Sequence, residues 1–171
     1  GKMYRGSNFF AGEIGHMKVN NKGELSTLKN SKSLESIASR TAIVEAINNK
    51  LVHGIESNIL EFIKGHKIKS SALAQSVASG DKLVIKEIKR ATKIIGSVLG
   101  SITTLLNIDT IVLGGGVVEA MDEFILTQVK KSFKKTVLKE PGKEVQIVAT
   151  KLGDDAPLYG GIALAEEFLT N

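Results

Sequence analysis

One periodic segment constrains the fold of this chain more than any other. Between Val84 and Leu105, apolar residues recur at alternating steps of four and three, at Val84, Ile88, Ala91, Ile95, Val98, Ile102 and Leu105. This spacing places them on one face of a helix, which we expect to begin at Gly80-Asp81. The apolar run from Ile94 to Leu106 is shorter than the roughly 20 residues that a bilayer requires. The segment is therefore predicted to be a core helix and not a membrane anchor.

Glycines occur at two informative places, within this predicted helix and after the strand predicted to follow it. Gly96 and Gly100 lie one helical turn apart, so they predict either the close approach of another backbone or local packing against a sheet. The β-branched run Asp109–Leu113 predicts a strand, and it ends in Gly114, Gly115 and Gly116 before a helix resumes near Met121. Strand, glycine turn and helix are typical of loops that contact phosphates or nucleotides in open α/β proteins. The loop is not a P-loop, because no Gly-Lys-Ser/Thr follows, and it lacks the dinucleotide-binding spacing.

The remaining pattern alternates short strands with helices. Further strands are predicted at Lys2–Tyr4, His16–Val19 and Val145–Ala149, with a turn at Asn20–Gly23 and a loop at Gly153–Pro157. Ser33 is predicted to cap a helix whose core stripe is Leu34, Ile37, Ala38, Ala42, Ile43, Ala46 and Ile47. Other helices are predicted at Ile55–Ile63, Ala72–Val77 and Leu158–Leu169. This order predicts an α/β layered domain with a mostly parallel sheet and flanking helices.

Composition limits the class of protein. A chain of 171 residues with 42% hydrophobic and 24% charged residues is typical of one soluble globular domain. It has no cysteine, which excludes disulfides and cysteine metal sites. The chain carries no signal-peptide pattern, which favours the cytoplasm. Because it starts without methionine and within a predicted strand, we expect it to be part of a longer protein.

The net charge of +5 comes largely from lysines, many of them between Lys130 and Lys143. A basic cluster can attract nucleic acid. The favoured interpretation is a solvated helix face, because Lys130, Lys131, Lys134 and Lys135 recur at helical spacing beside apolar residues that would point inward, at Phe124, Ile125, Val129 and Phe133. No arginine-rich, aromatic-interleaved or helix-turn-helix segment supports direct DNA binding.

The segment most typical of a site is Ala11-Gly12-Glu13-Ile14-Gly15-His16. Gly12 and Gly15 predict a sharp turn that aims the Glu13 carboxylate and the His16 imidazole into one pocket. Taken alone, the pair also fits a solvated carboxylate beside a hydrogen-bonded histidine, so the motif depends on its surroundings.

Those surroundings resemble the ROK family of sugar kinases and sugar-responsive repressors. The resemblance rests on blocks in the family's order, namely residues 1–16, Ser33-Leu34-Glu35, residues 111–117, residues 152–156 and residues 160–165. It implies a ribonuclease H-like lobe of the actin and hexokinase type. It also implies that Glu13, His16 and Glu35 contact sugar hydroxyls, whose hydrogen bonds carboxylates accept, and that Gly114 to Gly116 lie against the nucleotide. The loop at Asp154, Asp155 and Ala156 is expected to be structural.

Two departures from the family pattern bear on activity. Where family members place three cysteines that bind a structural zinc with the histidine, this chain has Ser26, Leu28 and Ser33. Since a neutral hydroxyl is a poor zinc ligand and leucine is none, we predict no zinc and a mobile loop from Leu25 to Lys32. The family's Asp-x-Gly-Gly-Thr phosphate motif and its catalytic aspartate are also absent from this sequence. Phosphoryl transfer needs such groups, so these 171 residues are predicted to hold no catalytic residue and to be inactive alone.

Three functions are compatible with this pattern. The favoured hypothesis is the sugar-binding and dimerising domain of a ROK-type transcriptional regulator that resembles the xylose repressors. It would bind a sugar or sugar phosphate and would reach DNA only through a separate N-terminal domain. The alternative is the C-terminal lobe of a cytoplasmic ATP-dependent sugar kinase, which would use ATP and Mg²⁺. A ROK-shaped domain that binds no sugar and acts through protein contacts is a third interpretation.

Overall fold

The computed structural model describes residues 3–23, 32–65 and 67–170, in which five consecutive helices separate a first pair of strands from a second. Short 3₁₀ turns occur at Ile14–His16 and Gly153–Asp155. The other elements, in chain order, are β1 (Lys18–Val19), β2 (Lys32–Ser33), α1 (Leu34–Ala38), α2 (Arg40–Val52), α3 (Ile59–Phe62), α4 (Ser70–Ala78), α5 (Lys82–Leu106), β3 (Thr110–Leu113), α6 (Gly116–Ala120), α7 (Asp122–Thr136), α8 (Lys139–Gly142), β4 (Gln146–Ala149) and α9 (Ala156–Thr170).

Helix α5 confirms the central prediction. Asp81 is its N-cap, and the helix ends at Asn107, which adopts the left-handed conformation with φ of 51°. Four of the seven seam residues are buried, at Val84, Ile88, Ala91 and Val98. Ile95 and Ile102 are partly buried, while Leu105 in the last turn is exposed. The seam therefore forms core along most of the helix and leaves it only at the C-terminal end.

The two glycines of α5 let α7 approach it. A Cβ atom on Gly96 would lie 2.5 Å from the carbonyl oxygen of Val129, and one on Gly100 would lie 2.9 Å from the amide nitrogen of Val137. The helices run in the same direction, because the earlier glycine faces the earlier residues of α7. The predicted close approach is therefore correct, and the neighbour is a helix rather than the sheet.

A parallel strand pair lies beside these helices and gives the α/β class that the sequence predicts. β3 and β4 pair in parallel from Thr110 opposite Gln146 to Leu113 opposite Ala149. Ile111 and Ile147 face each other in this pairing, and both are buried in the core that α5 and α7 share. The short strands β1 and β2 form a separate antiparallel pair.

Several boundary predictions are wrong in detail. Met3 and Tyr4 are irregular and exposed, and Lys2 lies outside the described residues. His16 belongs to a 3₁₀ turn, so the strand predicted at His16–Val19 begins only at Lys18. The segment Gly153–Pro157 is a 3₁₀ turn that leads into α9 at Ala156, because proline is tolerated in the first turn of a helix.

The stripe from Leu34 to Ile47 is core, as predicted, except that Ala46 is only partly buried. It belongs to two helices and not to one continuous helix. Ser39 is extended, with φ of −66° and ψ of 164°, and its hydroxyl accepts a hydrogen bond from the amide of Ala42 at 3.2 Å. A serine that caps a new helix ends the preceding one, which accounts for the break between α1 and α2.

No helix within the described ranges combines the length and the apolar character needed to cross a membrane.

The buried N-cap Asp81 gives a first test of the fold. Its carboxylate accepts hydrogen bonds from the amides of Val84 at 2.9 Å and Asn58 at 2.8 Å, and from the Ser57 hydroxyl at 2.5 Å. Because Asp81→Ala leaves these donors without their acceptor, we expect it to lower the free energy of unfolding by about 2 kcal/mol in urea denaturation. The exposed Asp122→Ala is the matched control, with an expected loss of about 0.5 kcal/mol.

The same substitution is expected to change the acid limb of the stability curve. Burial raises the pKa of Asp81, but hydrogen bonds from Ser57 and from backbone amides outweigh burial, so the pKa lies below its usual value. A depressed carboxyl pKa contributes stability above the unfolded value of about 3.9, and this stability is lost as the pH falls below that value. Asp81→Ala should therefore lose less stability than the unmodified chain between pH 5 and pH 2. An unchanged acid limb would contradict the assignment.

Candidate functional site

The turn at residues 11–16 and the start of α1 form one surface. Leu34 donates its amide hydrogen to the carbonyl of Met17 at 2.9 Å, and β1 pairs with β2 with Lys18 opposite Ser33. The Ser33 hydroxyl accepts from the amide of Ser36 at 3.2 Å, which confirms it as the cap of α1. This pairing holds the N-terminal end of α1 against the 3₁₀ turn.

Glu35 lies over the turn that carries Glu13 and His16. A Cβ atom on Gly15 would stand 3.5 Å from Cβ of Glu35 and 3.9 Å from its Oε2 atom, so the absence of a side chain at Gly15 leaves room for this carboxylate. Gly12 has φ of 94°, which favours glycine, and its carbonyl accepts from the amide of Ile14 at 2.6 Å. The structure thus places Glu35 against the segment that carries the other two predicted residues.

All three predicted sugar contacts are exposed. Across the described parts of the chain, no hydrogen bond or ion pair engages the side chain of Glu13, His16 or Glu35. Two carboxylates and an imidazole on one surface offer acceptors, and the imidazole can also donate. This combination suits a ligand with several hydroxyl groups.

The glycine loop forms a second part of the site. Gly114 follows β3 directly, Gly115 has φ of 94°, and Gly116 begins α6. A Cβ atom on Gly114 would lie 3.1 Å from Cγ2 of Thr150, and one on Gly116 would lie 3.3 Å from Oγ of Ser70. The loop backbone is therefore packed between the segment after β4 and the first turn of α4, at the carboxyl end of the parallel strands.

A cavity of about 410 Å³ opens on this loop. Its walls are mainly apolar, and its polar side chains are Arg40, Ser70 and Thr92. Ala38 also lines the cavity. Ala38 and Glu35 belong to the same short helix and differ by three residues, or about 4.5 Å of helical rise. Helix α1 therefore joins the cavity to the surface that carries Glu35.

A second cavity of about 430 Å³ is lined by the same three glycines, and Glu119, Thr150 and Asp154 contribute polar groups to it. The predicted structural role of Asp154, Asp155 and Ala156 stays a prediction.

Arg40 and Ser70 are functional candidates that the sequence did not indicate. Each begins a helix that carries no recognisable motif, and the two are 30 residues apart in the chain. Only the packing of α2 and α4 around the glycine loop brings them to one cavity. The first-turn position of Ser70 beside Gly116 is visible only in three dimensions.

The zinc prediction concerns residues of which two lie outside the described ranges, Ser26 and Leu28. Within the described ranges, no group of three or more histidine, cysteine, aspartate or glutamate side chains is arranged to hold a metal ion. The absence of zinc stays a prediction.

The fold agrees with the ribonuclease H-like lobe of the actin and hexokinase type that the sequence resemblance implies, since solved ROK kinases superpose on this chain. The ROK family model matches residues 1–168, and the chain belongs to the ROK family. The family resemblance seen in the sequence motifs is thereby confirmed.

Relatives in this family include regulators and kinases. The chain is 28% identical to the transcriptional dual regulator NagC of Escherichia coli over all of its 171 residues, and 23% identical to the xylose repressor of Caldicellulosiruptor bescii over 95% of them. It spans 41% of the length of each regulator. A ROK family glucokinase from Streptomyces griseus, solved in complex with glucose and AMPPNP, is 25% identical and superposes with a TM-score of 0.80 over 97% of this chain and 55% of that one.

Proposed function

We propose that this chain is the sugar-binding domain of a ROK-type transcriptional regulator. One observation carries the ligand site of this proposal: Glu35 packs against the turn bearing Glu13 and His16, and helix α1, which contains Glu35, ends at the cavity of the glycine loop. A ligand at this surface would bear hydroxyl groups, as a sugar or sugar phosphate does. If ligand binding shifted α1, the cavity would change shape, because Ala38 at the end of this helix lines it.

The roles of the individual residues follow from their chemistry. Glu13 and Glu35 would accept hydrogen bonds from sugar hydroxyls, and His16 would accept or donate one. Gly114, Gly115 and Gly116 would allow a nucleotide, or a part of the protein in its place, to approach the loop backbone. The residues bind and orient, and no proton transfer is assigned to them.

The proposal extends to the whole protein. We propose a single ROK domain over residues 1–171, a cytoplasmic location, a homo-oligomer, and DNA contact through a separate N-terminal domain that completes the regulator. Similarity to NagC and to the xylose repressor supports a regulator in preference to a kinase. The residues at the positions of the family's three cysteines, Ser26, Leu28 and Ser33, are compatible with it, because a regulator need only bind its ligand.

The alternative is the C-terminal lobe of an ATP-dependent sugar kinase that would use ATP and Mg²⁺. Two findings favour it, the similarity to a glucokinase solved with glucose and AMPPNP and the cavity at the glycine loop. The missing phosphate motif and general base would then have to come from outside these 171 residues.

The test is calorimetric titration of the full-length protein with hexoses, pentoses and N-acetylhexosamines, with and without MgATP. We expect one sugar to bind without release of ADP, and Glu13→Gln and Glu35→Gln each to weaken its binding about tenfold, since a hydrogen bond to a charged group contributes about 1.5 kcal/mol. Glu45→Gln, an exposed carboxylate on α2, is the control and should bind normally. Release of ADP with one sugar would establish the kinase instead. Unchanged affinity in both variants would refute the assigned contacts.

A further inference from the structure

A row of lysines follows the α5–α7 seam, the line along which these two helices pack, and it includes none of the residues of the proposed sugar site. Six polar residues line an open groove of about 280 Å³ on this seam, namely Lys89, Lys93, Gln128, Lys131, Ser132 and Lys135. All four lysines are exposed. None of them forms an ion pair with a carboxylate of residues 3–23, 32–65 or 67–170.

The close packing of the helices creates this concentration of charge. Ser132 donates its hydroxyl to the carbonyl of Lys93 at 2.6 Å, and Gly96 lets the two backbones approach one turn further on. Lys82 and Lys86 precede Lys89 and Lys93 at steps of four, three and four, so they lie on the same face of α5. The sequence shows the lysines of α7 as a separate cluster, and the fold sets the row of α5 beside them.

Such a surface is suited to a polyanion. Like charges on adjoining turns repel one another, and a bound anion would relieve that repulsion. Lysine is depleted in the cores of protein interfaces, where tyrosine, tryptophan and arginine are enriched, and the groove offers none of those three. Lysine, glutamine and serine are, by contrast, side chains that contact nucleic-acid phosphates.

We propose that the seam of α5 and α7 binds the sugar–phosphate backbone of duplex nucleic acid without reading its sequence. The groove has no aromatic side chain on which an unpaired base could stack, which favours a duplex over a single strand. The proposal does not rest on the sugar site, and it adds a DNA contact to the one assigned above to a separate domain.

The 171-residue chain is the sample, because the ROK family model matches residues 1–168 of it. Its affinity for fluorescent duplexes of about 24 base pairs and unrelated sequence would be measured by anisotropy in about 50 to 200 mM salt. If four phosphates are contacted, we expect binding to weaken about 100-fold over this salt range. Duplexes of different sequence should bind with similar affinity.

Two variants with the same change in net charge distinguish the contribution of the seam lysines to DNA binding from that of overall charge. Lys89→Gln, Lys93→Gln, Lys131→Gln and Lys135→Gln combined should weaken binding at about 50 mM salt by about 30-fold or more and flatten the salt dependence. The control combines Lys18→Gln, Lys64→Gln, Lys67→Gln and Lys151→Gln, exposed lysines outside both helices that remove the same charge. Circular dichroism verifies folding, and the pair Lys93→Gln/Lys131→Gln replaces the fourfold variant if that variant unfolds.

Three results would overturn the proposal. The first is no binding at the lowest salt concentration, and the second is an equal loss in the seam variant and in the control. The third is tighter binding to polyglutamate or to phosphatidylserine vesicles than to the duplex at the same salt, which would assign the surface to an acidic protein or a lipid membrane.

Discussion

Replacing Gly96 with valine is expected to lower the free energy of unfolding by about 3 kcal/mol, the upper end of the cost of overpacking a core. The first added carbon would already stand 2.5 Å from the Val129 carbonyl oxygen and 2.7 Å from Cβ of Ser132. The nearest atom belongs to a backbone, so α7 would have to move away from α5. Urea denaturation monitored by circular dichroism measures the loss.

The alanine series gives the sharper comparison. Gly96→Ala gains about 1 kcal/mol of helix propensity but still forces the helices apart, so we expect a net loss of about 2 kcal/mol. Gly161→Ala is the matched control, because Gly161 also lies within a helix and nothing stands within 4 Å of an added Cβ atom there. That variant should gain up to about 1 kcal/mol. Equal stability changes at the two positions would show that α5 and α7 do not pack as closely as described.

These glycines also show how far the sequence could predict the fold. The four-three spacing of apolar residues located α5, and the pair Gly96 and Gly100 predicted either a close backbone approach or local packing against a sheet. Spacing within one helix contains no information about which element lies across from it. The partner of α5 is fixed by long-range packing, and α7 could be recognised only once both helices were placed on β3 and β4.

Hydrogen bonding by a side chain explains why the break between α1 and α2 was not predicted. The stripe from Leu34 to Ile47 has the period of one helix, and Ser39 interrupts it because a serine hydroxyl competes for backbone amides and caps α2 instead. Apolar periodicity reports which face is buried and is insensitive to such a break. The core residues were therefore predicted better than the ends of the helices.

The candidate site could likewise be predicted only in part. Family motifs indicated Glu13, His16, Glu35 and the glycine loop. The contact of Glu35 with Gly15 depends on the pairing of β1 with β2, and the cavity residues Arg40 and Ser70 carry no motif. Chemistry that is concentrated in one segment can be read from the sequence, whereas a cavity assembled from several helices cannot.

Glu87 connects helix α1, which carries Glu35, to the buried face of α5. Its side chain is 3% exposed on α5, and it accepts hydrogen bonds from Lys50 of α2 and from Nε of Arg90, the latter at 2.8 Å. Arg90 also donates to the carbonyl of Ile37 at 3.0 Å, in the last turn of α1. One buried carboxylate thus orients two cations that hold α1 and α2 on α5.

Burial raises the pKa of Glu87, but the hydrogen bonds and positive charges of Lys50 and Arg90 outweigh burial and hold the pKa below its usual value. The carboxylate therefore contributes stability above the unfolded pKa of about 4.3, and this contribution is lost as the pH falls below it. Glu87→Gln keeps the shape and removes the charge. It should lose less stability than the unmodified chain when the pH is lowered from 6 to 3.

Glu87→Ala is expected to lower the free energy of unfolding by about 3 kcal/mol at pH 7, because it removes a buried partner of two cations and leaves a cavity. The side chains of Lys50 and Arg90 are 37% and 34% exposed, so water partly replaces the lost carboxylate and holds the cost near the lower end of the range. Glu140→Ala, which breaks an exposed ion pair with Lys143, is the control and should cost under about 0.5 kcal/mol. Equal costs for the two variants would contradict the structural role of Glu87. Because Arg90 would no longer be oriented toward the end of α1, Glu87→Ala should also weaken the sugar binding proposed above, although Glu87 lies outside the proposed contact residues.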